Sequence, residues 1–421
     1  MRKMKDSGFG WLRDIPFDWD ILKIKDGFTR KKAKALQNDP VVLSLARSGV
    51  KVRDISTNEG QLAASYYEYN PVTIDDMLLN PMDLQSGANC SISKVDGVIS
   101  PAYINLRYKK GFNPAFYDYY FKYQYWSYAF FSYGKGVSFD NRWTLNEDTL
   151  MNLPLLVPSK KEQDRIATYL DEQCKKIDEI MADIQNQIDT LEDYKKSVIS
   201  EAVTMGLNPN VEMKKTDMGW INCVPKHWKI DKIKFHLQRL EYRNPGNMPI
   251  LSVYREYGVI PKDSRNDNHN VTSEDTSKYK YVKPGYLVIN KMKAWQGSMG
   301  VSDYEGVVSP AYFIYVFTDN SFSKKYVHYL LRSTYKNEFR RLSGGIREGQ
   351  WDLAPEGFEN TLILIPPVNE QEEIVEYIDK KHAEIDSIIE DKKAQLEAIE
   401  NYKKSMIYEY VTGKKEVPEN E

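Results

Sequence analysis

The side chains able to do covalent chemistry are scattered along this sequence. Cys90, Cys174 and Cys223 lie far apart with no CxxC pair, which is neither a disulfide framework nor a zinc ligand set. His227, His236, His269, His328 and His382 show no HxxxH or HExxH spacing, so no metal centre is expected. Gly344-Gly345 with Gly349 lacks the Lys-Ser/Thr of a phosphate loop and reads as a turn. Asn113-Pro-Ala-Phe116 lacks the second proline and the upstream glycine loop of a methyl-transfer site, and Pro114 reads better as a helix start. No catalytic set is expected. What remains is recognition by hydrogen bonds and charge. Loops such as Asn290-Lys-Met-Lys-Ala-Trp-Gln296 and Arg341-Leu-Ser-Gly-Gly-Ile-Arg-Glu-Gly-Gln350 gather basic and amide side chains.

A chain of 421 residues exceeds one ordinary core and suits about two to four domains. Hydrophobic residues at 41% can fill cores, and 13% aromatic content argues against disorder. Neither an apolar leader nor a stretch near the ~18 apolar residues of a membrane span is found. With the cysteines unpaired, a reducing cytoplasm is expected. The formal net charge of −2 conceals an asymmetry. Residues 1–158 carry 20 basic and 17 acidic side chains, and residues 206–366 carry 23 and 17. Residues 159–205 carry 7 and 11, and residues 367–421 carry 8 and 15. Two mildly basic segments therefore alternate with two acidic ones.

The same period organises the motifs. Gly10-Trp-Leu-Arg-Asp-Ile-Pro16 with Trp19 recurs 209 residues later as Gly219-Trp-Ile-Asn-Cys-Val-Pro225 with Trp228. Gly97-Val-Ile-Ser-Pro-Ala-Tyr103 recurs as Gly306-Val-Val-Ser-Pro-Ala-Tyr312. Glu162-Gln163 and Tyr194-Lys-Lys-Ser197 recur 208 residues later as Glu370-Gln371 and Tyr402-Lys-Lys-Ser405. Trp143 and Trp351 share that offset and read as core anchors. The chain is a duplication, and the long divergent stretches between shared blocks suggest one scaffold serving two targets.

From Glu162 to Thr204 there is neither Pro nor Gly. Leu170, Ile177, Ile184, Leu191 and Val198 recur at heptad spacing, and a second row of Ile166, Gln173, Ile180, Gln187 and Tyr194 precedes each by four. This is the seam of a coiled-coil helix. The stretch from Glu370 to Thr412 repeats it with Ile374, Ile378, Ile385, Ile388, Ile399, Tyr402 and Met406, although Lys392 stands where Ile184 does. Each helix, about 40 residues long, would span about 60 Å. The expected partner of each is the other. The modules read as mixed α/β, with strands at 41–45, 250–253, 285–289 and 311–317 and helices at 114–133 and 323–341.

Pro154-Leu-Leu-Val-Pro158, Glu162-Gln163, Arg165-Ile166-Ala167, Tyr169-Leu170-Asp171, Tyr194-Lys-Lys-Ser197 and Val203-Thr204 resemble the conserved regions of type I restriction-modification specificity subunits. Ile365-Pro-Pro367, Glu370-Gln371, Tyr402-Lys-Lys-Ser405 and Val411-Thr412-Gly413 resemble the second such region. Asn290-Lys-Met292 with Trp295 is similar to segments of the family's target recognition domains; the first copy departs with Asn80-Pro-Met-Asp-Leu-Gln85. The resemblance implies an α+β chain with two target recognition domains (1–158 and 207–366) separated by two long antiparallel coiled-coil helices (159–206 and 367–421). Each domain would read half of an interrupted DNA site. The helices would set the gap and dock two methyltransferase subunits, which restriction subunits join. S-adenosylmethionine, ATP and Mg²⁺ would belong to those partners.

On that reading the DNA-contacting candidates of the first domain are Arg47, Lys51, Arg53, Asn58, Lys94, Lys135 and Arg142. Those of the second are Arg255, Lys262, Arg265, Asn290, Lys291, Lys293, Gln296, Arg341, Arg347 and Gln350. Arg can pair with guanine in a bidentate fashion and Asn or Gln with adenine, while Lys holds phosphates. Trp295 reads as core. The competing reading is a non-enzymatic adaptor, with acidic helices scaffolding an assembly and modules that bind proteins.

Overall fold

The computed structural model describes residues 2–56, 63–85, 87–136, 143–255, 257–264, 275–345 and 351–418. The chain divides into two compact units, Met1–Gln185 with Lys393–Glu421, and Asn186–Lys392. The long helices Lys160–Met205 and Val368–Val411 each contribute residues to both. The division into compact units falls within each long helix, after Gln185 in the first and after Lys392 in the second.

In the first unit, Phe28–Arg30, Ile104–Tyr108, Met77–Leu79 and Cys90–Ile92 form, in that order, an antiparallel sheet. Helix Pro114–Trp126 packs against it through Phe116, Tyr117, Tyr120 and Phe121, all fully buried. Phe28 meets Tyr117 and Phe121 edge-on at 5.3 and 5.4 Å, the favoured geometry for opposed ring quadrupoles. Asn113 starts this helix: its Oδ1 accepts from the amide of Ala115 at 2.8 Å, and Pro114 supplies the preset φ of a first helical residue. Tyr128, left-handed at φ 56°, separates it from the short helix Ala129–Ser132. A hairpin, Leu43–Ala46 with Gly49–Val52, adds a smaller apolar cluster around Leu43, Leu78 and Ile99.

The second unit has the same sheet order: Leu237–Leu240, Tyr312–Phe317, Leu287–Asn290, Met299–Val301. Its helices Lys324–Ser333 and Lys336–Leu342 bury Tyr326, Val327, Leu330, Leu331, Tyr335 and Phe339. Every ladder among the described strands is antiparallel; parallel pairing is confined to the isolated bridges Val42↔Val98 and Ile250↔Val307. The modules are thus antiparallel α+β rather than the mixed α/β expected. Hairpins such as Leu43–Ala46 with Gly49–Val52 make some of these ladders, and others pair strands distant in sequence, as Asp20–Lys23 with Pro154–Val157. The repeated Gly-Val-x-Ser-Pro-Ala-Tyr block has a steric cause. A Cβ at Gly97 would lie 2.5 Å from the Val41 carbonyl, and one at Gly306 would lie 2.5 Å from that of Pro249.

Repeated motifs tie the helix starts to the modules. In the first unit the buried Trp19 donates its indole N–H to Glu162 at 3.0 Å, and Lys5 donates to the Trp19 carbonyl at 2.6 Å. In the second, Trp228 donates to Glu370 at 3.0 Å and Lys214 to the Trp228 carbonyl. Gln163 accepts from the Asn113 amide and donates to the Pro158 carbonyl; Gln371 accepts from Ser323 and donates to Pro366. Gly413, at φ 68°, lies against Pro16 and Trp19, as Gly206, at φ 73°, lies against Trp228 and Glu370.

Along the long helices Leu170, Ile177, Ile184 and Val198 are buried and Leu191 half-buried. Ile166, the first residue of the expected companion row, is buried, but beyond it the inward row differs from the expected one. It follows each residue of the first row by four, as Cys174, Met181, Ile188, Lys195 and Ala202, while Ile180 and Tyr194 are about half exposed. In the other helix Ile374, Ile378, Ile385, Ile389 and Met406 are buried and Ile399 is half-buried, whereas Ile388 and Tyr402 face solvent. A heptad allows the companion row at +3 or +4, and the large side chains at Ile180 and Tyr194 favoured the wrong choice. Lys195 of the inward row, and Lys403, which stands 208 residues after it, find carboxylates on the opposite helix. Lys403 reaches Asp178 at 2.6 Å in the first unit, and Lys195 reaches Asp386 at 2.6 Å in the second.

Candidate nucleic-acid interface

The first unit distributes its candidates around the hairpin and the helix Pro114–Trp126. Arg47 is exposed, packs beside Gly87, and lines a cavity of about 490 Å³ with Tyr119, Lys122, Trp126, Cys174 and Lys403. Lys51 is exposed on strand Gly49–Val52, and Arg53 follows it with its amide on the Val42 carbonyl. Lys94 edges a smaller concavity with Ser48, Asp118 and Asp171. Lys135 is held apart from these by its backbone pairing with Thr144. Asn58 and Arg142 lie outside the described residues.

In the second unit Arg255 and Gln296 come together, the guanidinium donating to Gln296 Oε1 at 2.5 Å. Asn290 is buried at the end of its strand, with its amide on the Ser298 carbonyl at 3.0 Å. Lys293 is exposed, and Lys262 lies in a short 3-10 turn. Lys291 is engaged internally with Asp352 at 2.6 Å. Arg341 forks onto Glu338 at 2.6 and 2.7 Å, which raises its pKa. Arg265, Arg347 and Gln350 lie outside the described residues. Trp295, Trp143 and Trp351, read as core, are half-buried instead. Trp295 and Trp351 lie 5.6 Å apart with the Arg340 guanidinium over both rings. Trp143 packs on Phe131 and donates to its carbonyl.

The two helix starts correspond, since the Asn113 amide donates to Gln163 and the Ser323 amide to Gln371, and counting from them brings out residues that the sequence alone did not single out. In the first unit Asp118 accepts from the Ile92 amide at 3.0 Å and pairs with Lys122 at 2.6 Å. The corresponding pair in the second unit is His328 and Arg332. His328 Nδ1 faces the Val301 amide at 3.3 Å and Nε2 faces Arg332 Nη1 at 2.5 Å. Burial, with Arg332 and Lys325 nearby, pushes the His328 pKa down to about 3. The flanking tyrosines keep one role: Tyr119 donates to Asp171 at 2.7 Å and Tyr329 to Asp379 at 2.5 Å. One scaffold position thus carries a neutral ion pair in one unit and a cation in the other. Only the 210-residue offset between the caps could have aligned them.

Among the described residues no group of three or more His, Cys, Asp or Glu could hold a metal ion. No described helix is long and apolar enough to cross a membrane. The cysteines are free.

Residues 231–398 match the model of the type I restriction modification DNA specificity domain. No curated protein sequence matches the chain. A structure described as "Structural basis underlying complex assembly and conformational transition of the type I R-M system" aligns with a TM-score of 0.66 at 12% identity, covering 94% of this chain and 98% of that one. The HsdS subunit from Thermoanaerobacter tengcongensis aligns at 0.49 and 13%, covering 97% and 99%. The stretch 231–398, which holds the second sheet, its helices and the first part of the second long helix, belongs to the type I restriction modification DNA specificity domain family.

Proposed function

We propose that the chain is the DNA specificity subunit of a type I restriction-modification complex, without catalysis of its own, reading a bipartite site through two target recognition domains. The observation that carries this is one scaffold built twice with different loop chemistry. The sheet order repeats, the Trp–Glu and Lys–Asp contacts repeat at the same offsets, and the second copy matches the family. Most of the basic and amide side chains of the module loops do not repeat. On this reading the chain is a pseudo-twofold repeat, and its two long helices form an antiparallel coiled coil. They act as the spacer between half-sites and dock two methyltransferase subunits, through which restriction subunits join. The rows left out of the seam, Ile180 with Tyr194 and Ile388 with Tyr402, are exposed at positions 208 residues apart. They suit two identical partners. S-adenosylmethionine, ATP and Mg²⁺ then act on those partners, in the cytoplasm.

The test is DNA binding by the chain assembled with its methyltransferase subunits. Base changes in either half-site should weaken binding, and changes in the gap should not. Tight binding indifferent to sequence would overturn the proposal.

A further inference from the structure

The second unit gathers Arg332, Lys336 and Arg255, whereas in the first the counterpart of Arg332, Lys122, is paired with Asp118 and that of Lys336 is Trp126, which carries no charge. Arg332 is largely buried. Its Nη2 donates to the Arg255 carbonyl at 2.7 Å, its Nη1 faces His328, and its Nε has no hydrogen-bond partner among the described residues. A neutral imidazole has one lone pair to offer, yet two donors face His328, the Val301 amide and Arg332. One of them is therefore underserved. In the first unit the Asp118 carboxylate serves both the Ile92 amide and Lys122. Lys336 lies one turn beyond Arg332, where the first unit has Trp126, and its stem packs on Gly297, where a Cβ would come within 2.7 Å. Burial, then the charges of Arg332, Arg255 and Lys196, hold the Lys336 pKa below its ordinary value. Among the described residues no carboxylate forms an ion pair with Arg332, Lys336 or Arg255.

We propose that Arg332, Lys336 and Arg255 form a binding site for a phosphate of the DNA backbone, present in the second unit and cancelled in the first by Asp118. The proposal rests on the DNA-specificity reading above. A phosphate supplies what the site lacks: negative charge and several acceptor oxygens for guanidinium donors that have no carboxylate. Because a phosphate contact carries no base information, the site adds affinity and register rather than sequence choice.

The test measures the salt dependence of binding by the full chain in its DNA-binding assembly. Arg332→Met and Lys336→Met should each lower the slope of log K against log salt by about one and weaken binding about fivefold at physiological salt, equally on cognate and unrelated duplexes. Arg332→Lys should retain the slope. His328→Asp keeps the arginine but restores the arrangement of the first unit, and should lose the contact as Arg332→Met does. Lys336 is exposed, so its variant tests the site without disturbing the core. Unchanged slopes in Arg332→Met, Lys336→Met and His328→Asp, with wild-type binding intact, would overturn the phosphate site alone. A loss confined to one base position would overturn it in favour of base reading. A wild-type assembly that binds no DNA would overturn both readings.

Discussion

Gly413 and Gly206 occupy left-handed backbone at the ends of the long helices, each against the tryptophan that also holds a helix-starting glutamate. At Gly413 a Cβ would overlap Pro16 and come within 3.0 Å of Trp19. Gly413→Ala should therefore destabilise the first unit by about 1–3 kcal/mol, from left-handed strain and overpacking together, as read by denaturant unfolding. His328 supplies a pH prediction. Its folded pKa, about 3, lies below the ordinary value of 6.5. Between those values the unfolded chain binds a proton that the folded chain does not, so stability falls as pH drops from about 6.5 toward 3. Replacing His328 with Gln should flatten that part of the profile of unfolding midpoint against pH. A profile equally steep without His328 would assign the dependence elsewhere. The repeated Trp, Glu, Gln and Gly were legible in the sequence because duplication prints each twice. Arg332 and Lys336 were not, because nothing in a one-dimensional string marks a cation as lacking a carboxylate.

The long helices were legible as elements, since 40 residues without Pro or Gly and with heptad apolar spacing have few other structures open to them. Their inner face was only half legible. Ile180 and Tyr194 look like seam residues by type, yet Cys174, Met181 and Ile188 face inward. Ile188→Asp should destabilise the chain by about 2–5 kcal/mol, whereas Ile180→Asp should change its unfolding by no more than about 0.5 kcal/mol. On the docking proposal Ile180→Asp and Ile388→Asp should instead weaken capture of methyltransferase subunits, measured by sedimentation of the mixed complex. The Lys403–Asp178 and Lys195–Asp386 pairs are partly solvated. Cutting either should cost no more than about 1 kcal/mol. The modules were misjudged as mixed α/β because short strand-like runs do not reveal whether their neighbours run parallel or antiparallel.

For the whole molecule, the proposed division of labour makes spacing and reading separable. Inserting residues within 185–200 should change the permitted gap between half-sites while both half-site sequences stay as they were. Replacing residues 20–150 with those of another family member should exchange one half-site only. Both outcomes are read by sequencing the duplexes that the assembly retains; altered half-sites with an unaltered gap would remove the ruler from the proposal. The repeated motifs were legible from their offsets alone, and the compact units were not, because each is assembled from segments distant in sequence. The first takes the opening part of one long helix and the closing part of the other. In genetic terms, a half-length gene ending near residue 206 would encode a chain whose Trp19 has no closing helix of its own to receive. Two identical half-length chains could complete one another by exchanging those helix ends. On the proposed function the present chain would amount to such a dimer written once, with two readers free to diverge independently.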